Sequence, residues 1–197
     1  MCPDAHGAEQ KALFKLLDIS GVAMRIEGMG QRRVDGFAAR TGASGFVSET
    51  ENPITQAFEK LFSSNNTIPE LEAGQGLVTV CFAKEAPPTS DTDGPFYFMP
   101  GFFVDDSDRN VEPPRDSVTI PAQTYLVTTW SGLSTDIGNF RFTLTEEFWP
   151  KTAPFLGLGR VDGPNIMIWP PGQSDNETSA TVEMWTPIKA FQISSGK

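Results

Sequence analysis

Glu183 is the residue of this chain best placed to do chemistry. It lies in Val182-Glu183-Met184-Trp185, where strand alternation puts Glu183 and Trp185 on one face and Met184 on the other. A carboxylate among such apolar neighbours is costly to bury without a partner. Three fates remain open: exposure, pairing with an Arg or Lys, or a cleft position with a raised pKa. A raised pKa would suit Glu183 to general acid–base work. The same carboxylate could instead recognise a cation, with Trp130, Trp149 or Trp185 adding cation–π contacts.

The other reactive residue types offer less. His6, the single histidine, stands near the N-terminus. An iron ligand from inside the fold would therefore have to be Met99, Tyr97 or Cys81. Cys2 and Cys81 are too few and too far apart for a disulfide framework, and Cys81 reads as a buried inert thiol. Gly157-Leu158-Gly159-Arg160 lacks the Lys-Ser/Thr of a phosphate loop, and Asp105-Asp106-Ser107-Asp108 lacks the Gly and distal Glu of a calcium loop. No metal ion or nucleotide is expected.

Composition narrows the class. The chain has 197 residues, 39% hydrophobic and 20% charged, as a globular protein does. It has 15 Phe and 4 Trp against 2 Tyr, so either the core or a cavity is rich in aromatic rings. The net charge of −10 opposes binding to nucleic acid or to anionic membranes. No apolar run reaches the length of a membrane span, and no signal peptide is visible, so a cytoplasmic location is expected.

Patterning supplies the elements that must position these residues. Residues 8–18 suit a short helix in an N-terminal extension, residues 1–20. Residues 22–27 and 33–40 read as two strands closing a hairpin across Gly28-Met29-Gly30. Asn52 caps a helix with Pro53 in its first turn, and Ile54, Phe58, Leu61 and Phe62 form its apolar face. Residues 77–83 and 95–99 are strands, the second stopped by Pro100. Strands follow at 118–120 and at 124–130, the latter ending at a Gly turn. A helix is expected over 136–149, with Ile137, Phe140, Leu144 and Phe148 inward, although Thr143 and Thr145 disfavour it. Strands at 166–169 and 181–188 close the order. Each half, 21–104 and 117–190, thus reads strand, strand, helix, strand, strand, within one domain of residues 21–190 and a tail at 191–197. The whole is α+β with pseudo-twofold symmetry.

Gly94-Pro95-Phe96-Tyr97-Phe98-Met99-Pro100, the link Glu112-Pro113-Pro114-Arg115-Asp116, Trp130-Ser131-Gly132 and Val182-Glu183-Met184-Trp185 together resemble the SOUL haem-binding family, over roughly residues 20–190. Leu77-Val78-Thr79-Val80-Cys81 departs from that family's Met-Thr-x-Pro-Val. The resemblance implies a GyrI-like barrel of two βαββ units, about eight antiparallel strands and two helices. It implies a hydrophobic ligand, haem or another tetrapyrrole, which, with His6 alone near the N-terminus, would be held without a histidine. Phe58, Leu61, Phe62 and Lys60 on the first helix would line the groove, unless that face simply packs on the sheet. Phe98, Trp130 and Trp185 would add aromatic wall, and Arg141 an anion contact. In GyrI-like proteins a glutamate on a late strand commonly faces the cleft, which favours that position for Glu183. The alternative function is an enzyme on the same scaffold, a hydrolase, isomerase or cyclase using Glu183. A protein-interaction module contacting partners through loops 86–95 and 112–114 is a third. The sequence leaves the oligomeric state open.

Overall fold

The structure, a computed structural model, describes residues 22–41, 52–63, 75–83, 96–104, 115–171 and 178–190. The expected helix at 8–18, the acidic run at 105–108 and the loop at 86–94 lie outside them. Among the described residues ten strands form one antiparallel sheet. They are β1 (Val22–Met29), β2 (Arg32–Gly36), β3 (Ala39–Thr41), β4 (Val78–Ala83), β5 (Phe96–Val104), β6 (Asp116–Ile120), β7 (Gln123–Leu133), β8 (Leu158–Arg160), β9 (Asn165–Ile168) and β10 (Ser179–Ala190). The path runs β1-β7-β10-β9-β4-β5-β2-β6, with β3 beside β5 and β8 beside β10. Exchanging β1 with β6, β2 with β7, β4 with β9 and β5 with β10 reverses this order. The pseudo-twofold therefore passes between β4 and β9. Among the described residues the sheet stays open, with β1 and β6 at its ends, rather than closing into the expected barrel.

The expected hairpin of the first two strands does not form. β1 pairs with β7, whereas β2 pairs with β5 and β6. Each half thus lends its first strand to the other. Pro100 does not stop β5 either. Its missing N–H falls where β2 gives way to β3, and its carbonyl accepts from the Phe37 amide at 3.2 Å. Here β2 and β5 come unusually close: a Cβ on Gly36 would overlap the Pro100 carbonyl and lie 2.8 Å from Gly101 Cα.

Helix α1 (Pro53–Phe62) begins as expected, with the Asn52 side chain accepting from the Ile54 amide at 3.0 Å. Its buried face is Ala57 and Leu61, packed with Phe37 and Phe102, and Phe62 stays 47% exposed. Ala57 allows the close approach that a larger residue would block. The second helix, α2 (Ile137–Phe142), follows a short 3₁₀ turn and widens into a π-helix over Thr143–Thr152. Two residues favour the wider turn. Thr143 Oγ1 donates to the Asn139 carbonyl at 2.9 Å, and Pro150 has no amide to give an α-helical ladder. The wide turn keeps Phe140, Leu144 and Phe148 on one side, four residues apart, against Val22, Met24, Leu126, Trp130 and Val182. β7 continues one residue past Gly132, where a Cβ would lie 2.6 Å from the Trp130 ring.

Both helices lie on one side of the sheet. The other side gathers Val34, Val80, Met99, Ile120, Val127 and Ile166 from both halves into a separate core, with Tyr125 and Trp185. We call this the inner face. Among the described residues no helix is long and apolar enough to cross a membrane.

Gly36→Ala should destabilise by about 1–3 kcal/mol in denaturant unfolding. Gly28→Ala, with no heavy atom within 4 Å of its Cβ, should be neutral or mildly stabilising.

Candidate functional site

Strand alternation sends the odd-numbered residues of β1, β7 and β10 to the inner face. Register then decides which of them meet. Val127 is paired with Arg25 on one side and Trp185 on the other, and Thr129 is paired with Glu183. Arg25, Thr129, Glu183 and Trp185 therefore converge across three neighbouring strands.

Arg25 Nη1 lies 2.9 Å from Glu183 Oε1 and donates to Thr129 Oγ1 at 3.2 Å. Trp185 Nε1 donates to Glu183 Oε2 at 3.0 Å. The Arg25 guanidinium also lies over the Trp185 ring, 5.5 Å from its centroid. Its Nε donates to Glu27 Oε2 at 2.6 Å. Beneath the charges, Tyr125 meets Trp185 edge to face at 5.7 Å and accepts from Gln123 Nε2 at 2.6 Å. Trp185 is 6% exposed, while the Glu183 side chain keeps 26% of its surface open.

Burial pushes the Glu183 carboxyl up, but hydrogen bonds from Arg25 and Trp185, with the Arg25 charge, outweigh it. The net effect holds Glu183 below the usual carboxylate range. The raised pKa weighed for this residue does not arise, because Arg25 is in place. The same pairing raises Arg25. Burial pushes the Tyr125 phenol up, so it stays neutral.

The residues read from sequence fall into separate places. Glu183 and Trp185 share the inner face. Trp130 is closed inside the core under α2, stacked on Phe140 at 5.6 Å. Leu61 is closed under α1. Phe58 joins Phe62 at 6.4 Å and Phe98 at 5.8 Å in an aromatic row, with Lys60 on the same helix. Arg141 is exposed on α2. Trp149 carries a cation, Arg160, at 5.7 Å. Burial pushes the Cys81 thiol up, and Arg141 and Arg160 only partly offset this. Among the described residues no group of three or more His, Cys, Asp and Glu could hold a metal ion. Arg25, Glu27, Thr129 and Tyr125 were not foreseen. Alternation along a strand at 22–27 puts Arg25 and Glu27 on one face, but the expected hairpin hid their neighbours.

The family model described as "Cass2: Integron-associated effector binding protein" matches residues 33–188. The chain belongs to this family. A search of the curated proteins finds no match. Among solved structures, the Cass2 integron cassette protein from the mobile metagenome of Vibrio cholerae superposes with a TM-score of 0.60 at 14% identity, covering 84% of this chain and 95% of that one. SAV2435, solved with tetraphenylphosphonium, gives 0.60 at 13% identity, covering 84% and 93%. EcmrR, solved with DNA, gives 0.54 at 12% identity, covering 92% of this chain and 63% of that one. At these identities the likeness shows the fold alone, and it is the GyrI-like α+β fold. The Cass2 match extends over β2 to β10, so it includes Glu183 and Trp185 but not Arg25.

The depressed Glu183 pKa has a sign that can be tested. Its contribution to stability is present above the unfolded value, about 4.3, and is lost as pH falls through the lower folded value. Wild type should therefore exceed Glu183→Gln in stability at neutral pH, with the gap closing at acid pH. Denaturant midpoints measured across pH for both proteins read this out.

Proposed function

We propose that this protein binds a bulky organic cation on the inner face of its sheet. Glu183 is the counter-charge, and Trp185 with Tyr125 is the aromatic support. The observation that carries this reading is an ionised, half-buried carboxylate fixed by an indole N–H on the ring's own strand. A ligand that takes the place of Arg25 there meets a carboxylate and a π-face together, the pairing that favours apolar cations. The net charge of −10 draws cations towards the protein. Two comparisons agree: the family is one of effector-binding proteins, and SAV2435 of similar fold was solved with tetraphenylphosphonium.

A second reading keeps the tetrapyrrole implied by the SOUL resemblance. Its support is the aromatic row of Phe62 stacked on Phe58 and of Phe98 tilted against Phe58, with Lys60 on the same helix. Acid–base catalysis by Glu183 has less support. A carboxylate held ionised by Arg25 is a poor proton donor at neutral pH.

Calorimetric titration with tetraphenylphosphonium should give one saturable site. Glu183→Gln should weaken it about 10- to 100-fold, the worth of a charged partner. Equal binding by both proteins would refute the role of Glu183. Haemin titration followed at the Soret band, on wild type and Phe62→Ala, tests the second reading. It requires one-to-one binding that the substitution weakens.

A further inference from the structure

The present partner of Glu183 is itself a cation lying on an aromatic ring. Arg25 reaches the carboxylate at 2.9 Å and sits 5.5 Å from the Trp185 centroid. These are the two contacts proposed above for a ligand. One cation can hold both at a time.

We propose that Arg25 is a built-in competitor: its guanidinium occupies the cation seat on Glu183 and Trp185, and a ligand binds by displacing it towards Glu27. The inference rests on the cation-binding reading and deepens it, by naming what sets the specificity of the site.

Three features of the structure support displacement. Arg25 has a second acceptor on its own strand, Glu27 Oε2 at 2.6 Å, so leaving Glu183 does not strand its charge. Both side chains are open to water, with Arg25 43% and Glu27 44% exposed. β1 ends the path of strands and pairs only with β7 among the described residues, so no strand flanks Arg25 on its outer side.

Selectivity follows from the competition. Arg25 is tethered, so it competes at an effective concentration on the order of millimolar or above. A small hydrated cation offers Glu183 nothing that Arg25 lacks, and loses. A ligand wins only by making more apolar contact with the Trp185 ring face than the guanidinium that now covers it. The apparent affinity of any ligand is lowered by the fraction of time the seat is free. A seat filled by Arg25 for about 90–99% of the time weakens binding roughly 10- to 100-fold.

The test compares wild type, Arg25→Gln, Arg25→Ala and Arg25→Lys, with tetraphenylphosphonium in calorimetry. Arg25→Gln should bind at least about tenfold more tightly than wild type, with Arg25→Lys between them. A second measurement follows the Trp185 indole N–H signal in NMR, assigned with Trp185→Phe, as guanidinium chloride is added at millimolar concentration. The signal should move saturably in Arg25→Ala and stay fixed in wild type, because the free ion refills the vacated seat. Unchanged or weaker ligand binding in Arg25→Gln overturns the inference while leaving cation binding intact. Absence of tetraphenylphosphonium binding in wild type and in Arg25→Gln overturns both.

Discussion

The exchange of first strands between the two halves is the constraint on which this molecule depends. β1 leaves its own half to lie against β7, and β2 bridges β5 and β6. Had β1 folded back on β2, Arg25 would stand far from β10 and Glu183 would face the inner side without a charge partner. Val22 and Met24 would also be lost from the core that α2 covers. One pairing choice therefore fixes the symmetry, seals a core and builds the charged cluster.

The two faces of the sheet carry different work. The helix side carries large apolar groups in two separate clusters, under α1 and under α2, beside the ion pair of Arg33 and Asp35. The inner face joins both halves through Val, Ile and Met. Its main charged group is off the pseudo-twofold, on β1, β7 and β10. The equivalent stretch of the other half, on β5 and β2, holds Met99, Gly101 and Val34. The other half also sets a cation over a ring, Arg32 over Phe103 at 4.6 Å, and the Glu183 site has a neutralised carboxylate rather than a bare one.

Much of this was legible in the sequence. Strand and helix order came through because period-2 and helical patterns are strong, and the Asn52-Pro53 start of α1 is a local signal that survives folding. The shared face of Glu183 and Trp185 followed from alternation alone. What failed was non-local. A hairpin is the cheapest guess for strands two residues apart, and nothing in residues 22–36 announces partners a hundred residues away. Pro100 misled because a proline is excluded only where its N–H is needed, and that depends on the neighbour strand. Ala57 was missed on α1 since the pattern weighs size, whereas close packing on β3 and β5 favoured the small residue. Glu183 had three possible fates, and choosing among them required knowing that Arg25 lay across β7.

β1 alternates two kinds of residue for two kinds of duty. Val22 and Met24 anchor the strand in the core, while on the opposite side Arg25 meets the Glu183 carboxylate and Glu27 is its second acceptor. The strand also lies outside the stretch that matches the Cass2 family. Anchoring and recognition are therefore separable along a single rim segment. A lineage could retune what the protein accepts by altering one side of that segment, and the fold would register little of the change.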